Sequence, residues 1–266
     1  MKAAKISDNL TFVSLKIRML YNTEELAIGT AFFYKHAETI HLVTNWHNVS
    51  GRHPTSKHPL HSQGGLPDRI EVGIPVAQPA GEGLRQIGWH WPTIPLYNDS
   101  QQATWHQHPI LGESVDVITI PVADIEAAIP ANDESLKLDS IRLYPGLDAF
   151  VLGFPRAISG GGQFPIWKRA SIATEPDIDV DNLPKFYIDT ATREGMSGSP
   201  VYAQEVGTWL PEGKTDVSER VFGKGRRFIG IYSGRVGDDQ FQAQLGIVWK
   251  ETVIQEIITA SLEKLA

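Results

Sequence analysis

A succession of short apolar runs with a period of two, each closed by turn residues, is what most limits the folds open to this chain. Thr11–Tyr21 sets Phe12, Val13, Leu15, Ile17 and Met19 against Ser14, Lys16 and Arg18. Side chains of an extended strand alternate between faces, so such a run buries one face and wets the other. Comparable segments follow at Ala27–Tyr34, Ile40–Thr44, Arg69–Ile74, Leu84–Trp91, Val115–Val122, Ala149–Leu152, Trp167–Ala173, Phe186–Asp189, Pro200–Ala203, Arg227–Tyr232 and Gln244–Trp249, with Gly, Pro, Asn or Asp at most joints. Many short strands separated by turns predict an all-β barrel or sandwich. One segment breaks the period. From Glu251, the residues Val253, Ile254, Ile257, Ile258, Leu262 and Leu265 fall at helical spacing, which predicts a C-terminal amphipathic helix lying on a barrel.

The stretch Asp124–Asp139, spotted with acids and prolines, reads as the joint between two halves, and Gly51–Pro67 and Val206–Gly225 read as long loops. With 266 residues, 41% of them hydrophobic and 21% charged, the chain can bury a sizeable core. The absence of cysteine removes disulfides, thiolate metal sites and a cysteine nucleophile together. A formal net charge of -7 without a basic face argues against nucleic acid or an anionic membrane as partner. Asp8, Asn9, Lys16 and Arg18 interrupt the apolar N-terminal residues, so neither a secretory leader nor a membrane span is expected, and a cytoplasmic location is.

The chemistry turns on Thr192–Tyr202, which reads TREGMSGSPVY. Ser197 there is either a satisfied turn serine or a nucleophile. A serine hydroxyl is a weak nucleophile until a base takes its proton, a third group orients that base, and donors await the oxyanion. Of the nine histidines, His47 stands where a strand end in HLVTNWHNVSG runs into a turn or short helix. Asp116, in SVDVITIPV, sets a carboxylate at the start of an apolar strand, where burial is costly unless a donor such as a histidine N–H satisfies it.

The blocks GTAFFY…HLVTNWHNVSG, WHQHPILGESVDVITIPV, VLGFP, IDTATREGMSGSPVY and FIGIYSGR…LGIVWK, taken in this order, resemble those of the trypsin-like (chymotrypsin-fold) serine peptidases, closest to the bacterial disulfide-free members. The resemblance runs from about Gly29 to Lys250 and implies two six-stranded antiparallel β-barrels with a C-terminal α-helix. It implies one peptidase domain over 1–266, with an N-terminal barrel at about 8–125, a C-terminal barrel at 140–250 and the helix at 251–265. Carried over by position, Ser197 is the nucleophile, His47 the general base and then acid, and Asp116 its orienting partner. The N–H groups of Gly195 and Ser197 form the oxyanion hole. Ala191, Thr192, Glu194, Ser233, Gly234, Arg235 and Gly246 line the substrate site, and the strand from Ser233 pairs with the substrate backbone.

Two departures from the family pattern carry information. Met196 stands where clipped trypsins have an aspartate that receives the new N-terminal ammonium, so activation of that kind is not expected. Ser199 replaces a usual glycine and breaks the G-x-S-x-G pattern of lipases and esterases. Ala191 at the pocket floor offers no acid for a Lys or Arg side chain. The pocket is therefore read as taking a small or medium apolar side chain, with an acidic one next through Arg193 and Arg235. The partner implied is a polypeptide substrate, with no cofactor and no metal. A regulatory protein partner fits a second reading, in which the same fold is a silent or partner-gated peptide-binding module. An esterase would share the triad. His53, His58 and His61 lie among prolines without the rigid ligand spacing of zinc sites, and Ser159–Gly162 lacks the lysine and helix of a phosphate cradle. His108 and the tryptophans Trp46, Trp89, Trp91, Trp105 and Trp249 are read as packing.

Overall fold

A computed structural model describes residues 6–79, 85–123, 129–191, 193–236 and 244–264. After a 3-10 turn at Asn9–Phe12, the first half contains β1 (Leu15–Tyr21), β2 (Glu24–His36), β3 (Thr39–Thr44), a short helix α1 (Trp46–Ser50), β4 (Arg69–Pro79), β5 (Arg85–His90), β6 (Thr93–Pro95), β7 (His106–Gln107) and β8 (Ile118–Val122). These strands form an eight-stranded sheet in the order β5-β4-β1-β2-β3-β8-β7, with β6 beside β4. The second half contains β9 (Asp148–Gly153), β10 (Ile166–Ile172), β11 (Lys185–Asp189), β12 (Pro200–Trp209), β13 (Val221–Arg235) and β14 (Leu245–Lys250), followed by α2 (Glu251–Glu263). They close into a barrel in the order β10-β11-β14-β13-β12-β9.

The alternation seen in the sequence is what fills these cores. In β1, Leu15, Ile17 and Met19 face inward with Phe33, Leu42, Val72 and Ile118, while Ala149, Val151, Ile188, Val201 and Val248 fill the barrel. A third cluster joins the two. Leu10, Phe32, Tyr34, Leu152, Tyr202 and Phe228 meet Val253, Ile254, Ile257 and Ile258 of α2, so the helix clamps both halves. His108 adds a polar tie: its Nδ1 accepts from the N–H of Leu111 at 3.1 Å, which leaves Nε2–H to donate to Glu256 of α2 at 2.8 Å. The segment before β1 also crosses to the second half, where the Ser14 hydroxyl donates to the Leu152 carbonyl at 2.7 Å.

Several sequence expectations shift. Thr11 and Phe12 belong to the 3-10 turn, in which the Leu10 N–H donates to the Asp8 carboxylate at 3.1 Å, and the strand begins at Leu15. The first sheet has eight strands where six were expected, because β6 and the two-residue β7 are too short to show a period. Val206–Gly225 is a loop only in part. β12 continues to Trp209 and pairs with β13 from Val221, with Val206 opposite Lys224 and Thr208 opposite Phe222. One face of this arm is exposed, with Phe222 at 85%, while Trp209 on the other is buried and covers Gly225, so backbone pairing persists there with little apolar alternation. Val115, Asp116 and Val117 precede β8 instead of opening it. The expected joint at Asp124–Asp139 and the expected strand start at Leu84 fall partly outside the described residues, as does Leu265.

Candidate active site

His47 lies in the first turn of α1, directly after β3. Gly51 closes that helix in the left-handed region (φ 65), returning its N–H to the His47 carbonyl at 3.0 Å. The loop before β8 brings Asp116 under this turn. The Asp116 carboxylate is 2% exposed and receives three donors: the His47 backbone N–H at 2.9 Å, the His47 ring Nδ1 at 2.6 Å and the Ser233 hydroxyl at 2.5 Å. Asn45 adds a bond from Nδ2 to the Asp116 carbonyl at 2.7 Å. A buried carboxylate without partners costs several kcal/mol, and this set of donors offsets that cost. An ionised carboxylate only accepts, so the proton sits on His47 Nδ1 and Nε2 is left with its lone pair. A base of this tautomer can take a proton from a hydroxyl placed against Nε2.

Ser197 faces this pair from the barrel, on the turn between β11 and β12. Its hydroxyl lies 3.5 Å from the Ser233 carbonyl, and no hydrogen bond joins it to His47 among the described residues. Ser233 thus stands between the two, with its hydroxyl on Asp116 and its carbonyl beside Ser197.

The turn around Ser197 is held by its backbone. Gly195 (φ 87) and Gly198 (φ 88) occupy the left-handed region, and a Cβ on either would strike a carbonyl oxygen, that of Phe154 or of Thr30. A trans peptide points its N–H opposite to its C=O, so holding one aims the other. The Glu194 carbonyl accepts from Arg156 N–H at 2.7 Å, which turns the Gly195 N–H the other way. The Met196 carbonyl accepts from Ser199 N–H at 3.0 Å and does the same for the Ser197 N–H. Among the described residues, neither of these two N–H groups donates to the protein. A pair of uncommitted donors flanking a serine can stabilise an alkoxide-like oxygen.

No protein-family model matches the chain, and no curated protein sequence does. Solved structures match it. The HtrA-type protease AlgW, solved with a tripeptide, is 13% identical, with a TM-score of 0.51 over 96% of this chain and 61% of that one. The serine endoprotease from Yersinia pestis is 10% identical, with a TM-score of 0.50 over 94% of this chain and 62% of that one. The Rv3671c protease in its inactive form is 19% identical, with a TM-score of 0.45 over 94% and 89%. The fold is that of the chymotrypsin-like serine proteases. The chain spans about three fifths of the length of AlgW and of the Yersinia protease.

Within this fold the expected substrate-site residues fall around one edge of the barrel. Ala191, Glu194 and Arg235 are exposed, as is Arg193, whereas Ser233 and Gly246 are buried; Thr192 lies outside the described residues. Gly234 and Arg235 pair with Ile247 and Gly246 of β14, while the ladder to β12 ends at Pro200 opposite Ile231. Among the described residues no strand pairs with the outer edge of Gly234–Arg235, so this edge can accept an added strand. Gly246 has no Cβ because the Tyr232 ring passes there: a Cβ would come within 2.6 Å of its Cε2.

Sequence reasoning missed Thr30, Asn45, Asn48 and Arg156, all of which bond to the two sides of the site. The TNW stretch before His47 put Asn45 in view, but nothing local marked the other three. The remaining histidines do other work. His53 Nδ1 accepts the backbone amides of Thr55 and Ser56, and no cluster of three or more metal-ligating side chains occurs among the described residues. In the glycine run the Gly162 carbonyl accepts Trp89 Nε1–H at 3.0 Å. No described helix is long and apolar enough to cross a membrane.

Proposed function

We propose that the chain is a serine endopeptidase and that residues 1–266 act as one peptidase unit, with the two halves supplying opposite walls of the cleft. The observation that carries this reading is the buried Asp116 carboxylate, which fixes His47 by both its ring and its backbone across from a serine on a left-handed glycine turn. The peptide substrate adds a strand along Gly234–Arg235. Ser197 Oγ attacks the scissile carbonyl carbon while its proton passes to His47 Nε2, and the oxyanion is received by the Gly195 and Ser197 amides. Collapse of the tetrahedral centre breaks the C–N bond, and the leaving amine takes the proton from His47. Water then attacks the acyl-enzyme with His47 as base and frees Ser197. Asp116 stays ionised and stabilises the imidazolium. At the pocket, Ala191 and the exposed Arg193 and Arg235 favour a small or medium apolar side chain, then an acidic one.

The contact of Ser197 with the Ser233 carbonyl in place of His47 favours a second reading, a peptide-binding module whose activity waits on a partner. Labelling by a fluorophosphonate probe separates the two. Wild-type protein labels and Ser197→Ala does not if the chain is a peptidase; no labelling of folded protein, with or without peptides, supports the module. Turnover of small esters without peptide cleavage points to an esterase.

A further inference from the structure

Glycine is the residue least able to hold its own backbone in one conformation, and Gly195 presents one of the two donors of the site. Its orientation must come from the peptides on either side. The peptide before it is gripped through the Glu194 carbonyl by Arg156 N–H. The peptide after it is gripped through the Gly195 carbonyl by the Thr30 hydroxyl at 2.8 Å, across 165 positions of sequence and from the opposite half of the molecule.

Thr30 is fully buried and commits every polar group it has to this cluster. Its N–H donates to the Ser197 carbonyl at 2.9 Å, and its own carbonyl accepts the Thr44 hydroxyl at 2.8 Å. Asn48 Nδ2 ties Thr44 and the Ser197 carbonyl together at 2.9 and 3.3 Å. Met196, between the two gripped carbonyls, is fully buried, and a thioether donates no hydrogen bond to steady the turn. Gly198 lies so close to the Thr30 carbonyl that a Cβ there would collide with it. Residue 30 thus abuts the serine turn along its whole width, and its hydroxyl is the one side-chain donor on the Gly195 carbonyl among the described residues.

We infer that Thr30 is a positioning residue, whose hydroxyl fixes the peptide after Gly195 and so blocks the rotation at this glycine that would swing its amide, turned by the Arg156–Glu194 bond, away from the oxyanion. This rests on the serine peptidase reading for its catalytic meaning but on the geometry alone for its mechanical one.

The test compares Thr30→Val, which keeps the branched shape and removes the donor, with Thr30→Ser, which keeps the donor. Amide hydrogen exchange reports the turn directly: the segment 195–199 should exchange at least about tenfold faster in Thr30→Val and near the wild-type rate in Thr30→Ser, with β9 and β14 unchanged. On a peptide substrate, kcat should fall about tenfold to a hundredfold in Thr30→Val, less than for loss of an oxyanion donor itself, with KM within about threefold. Thr30→Ser should restore kcat. Unchanged exchange and kcat in Thr30→Val overturn the inference. So does faster exchange across the whole barrel in both variants, which is the mark of a structural role. If wild-type protein never labels or cleaves, the peptidase reading falls, and the exchange comparison still decides whether Thr30 holds the turn.

Discussion

On the N-terminal side of the site a buried carboxylate does the holding: Asp116 draws in the His47 ring, the His47 amide and the Ser233 hydroxyl. On the C-terminal side the holding is done by backbone carbonyls, with Glu194, Gly195, Met196 and Ser197 each accepting a bond from a neighbour or from the opposite half. The first arrangement depends on the chemistry of one side chain and tolerates little change in charge. The second depends on shape, because carbonyl acceptors are common to every residue and only the positive φ of Gly195 and Gly198 brings them into place. A substitution that keeps shape but alters charge should therefore be severe on one side only, and a substitution that keeps polarity but adds a Cβ should be severe on the other.

The largest effect expected from this contrast is that of Asp116→Asn. Shape is nearly kept, but an amide can oppose the Nδ1–H tautomer of His47, so kcat on a peptide substrate should fall about 10⁴-fold with cooperative unfolding retained. A loss under tenfold would break the idea that charge holds this half. Next comes Gly195→Ala, which leaves every side chain of the site in place. The added methyl meets the Phe154 carbonyl and the residue must keep a φ of 87, so the amide is displaced. The rate should fall about 100- to 1000-fold, as for loss of one oxyanion donor. Wild-type kinetics in this variant would show that shape does not hold the turn.

The smallest effect concerns acid. All nine histidines lie at or before His108, in the first half of the chain. His41 of β3, just upstream of α1, is 1% exposed, and its pKa is lowered to about 4, by burial first and then by His106 and His36. In the unfolded chain it binds a proton near pH 6.5, so between about 6.5 and 4 the unfolded state holds the extra proton and folding weakens as pH falls. Full stability from this residue is present above 6.5. The loss at pH 4 should be on the order of 2 kcal/mol, read by urea unfolding, and His41→Gln should flatten that limb. Hydrogen exchange in acid should open β3 and β8 before the closed barrel. Simultaneous opening of both halves would remove the asymmetry.

The charge-held half was legible in the sequence because its signals are side chains. A lone Asp116 before an apolar strand and a His47 after another are unusual enough to notice, and each demands a partner. The strands themselves were legible where apolar residues recur, as in β1 and β3, and illegible in the outer part of β12 and β13, where Val206, Val221 and Phe222 are exposed and few apolar side chains are buried. Ser233 was expected at the substrate edge from the resemblance, and its hydroxyl on Asp116 has no local sign. Thr30 and Arg156 were missed for the same reason, since both act on carbonyls far away in sequence.

By itself, then, the sequence determined the alternating strands, the closing helix and the residue types able to do acyl-transfer chemistry, because period and side-chain chemistry are local properties. Only the tertiary structure decided which carbonyl each donor meets and where the Gly195 and Ser197 amides point. Every residue carries the same carbonyl, so a bond to it leaves no mark in the sequence until the two halves fold against each other.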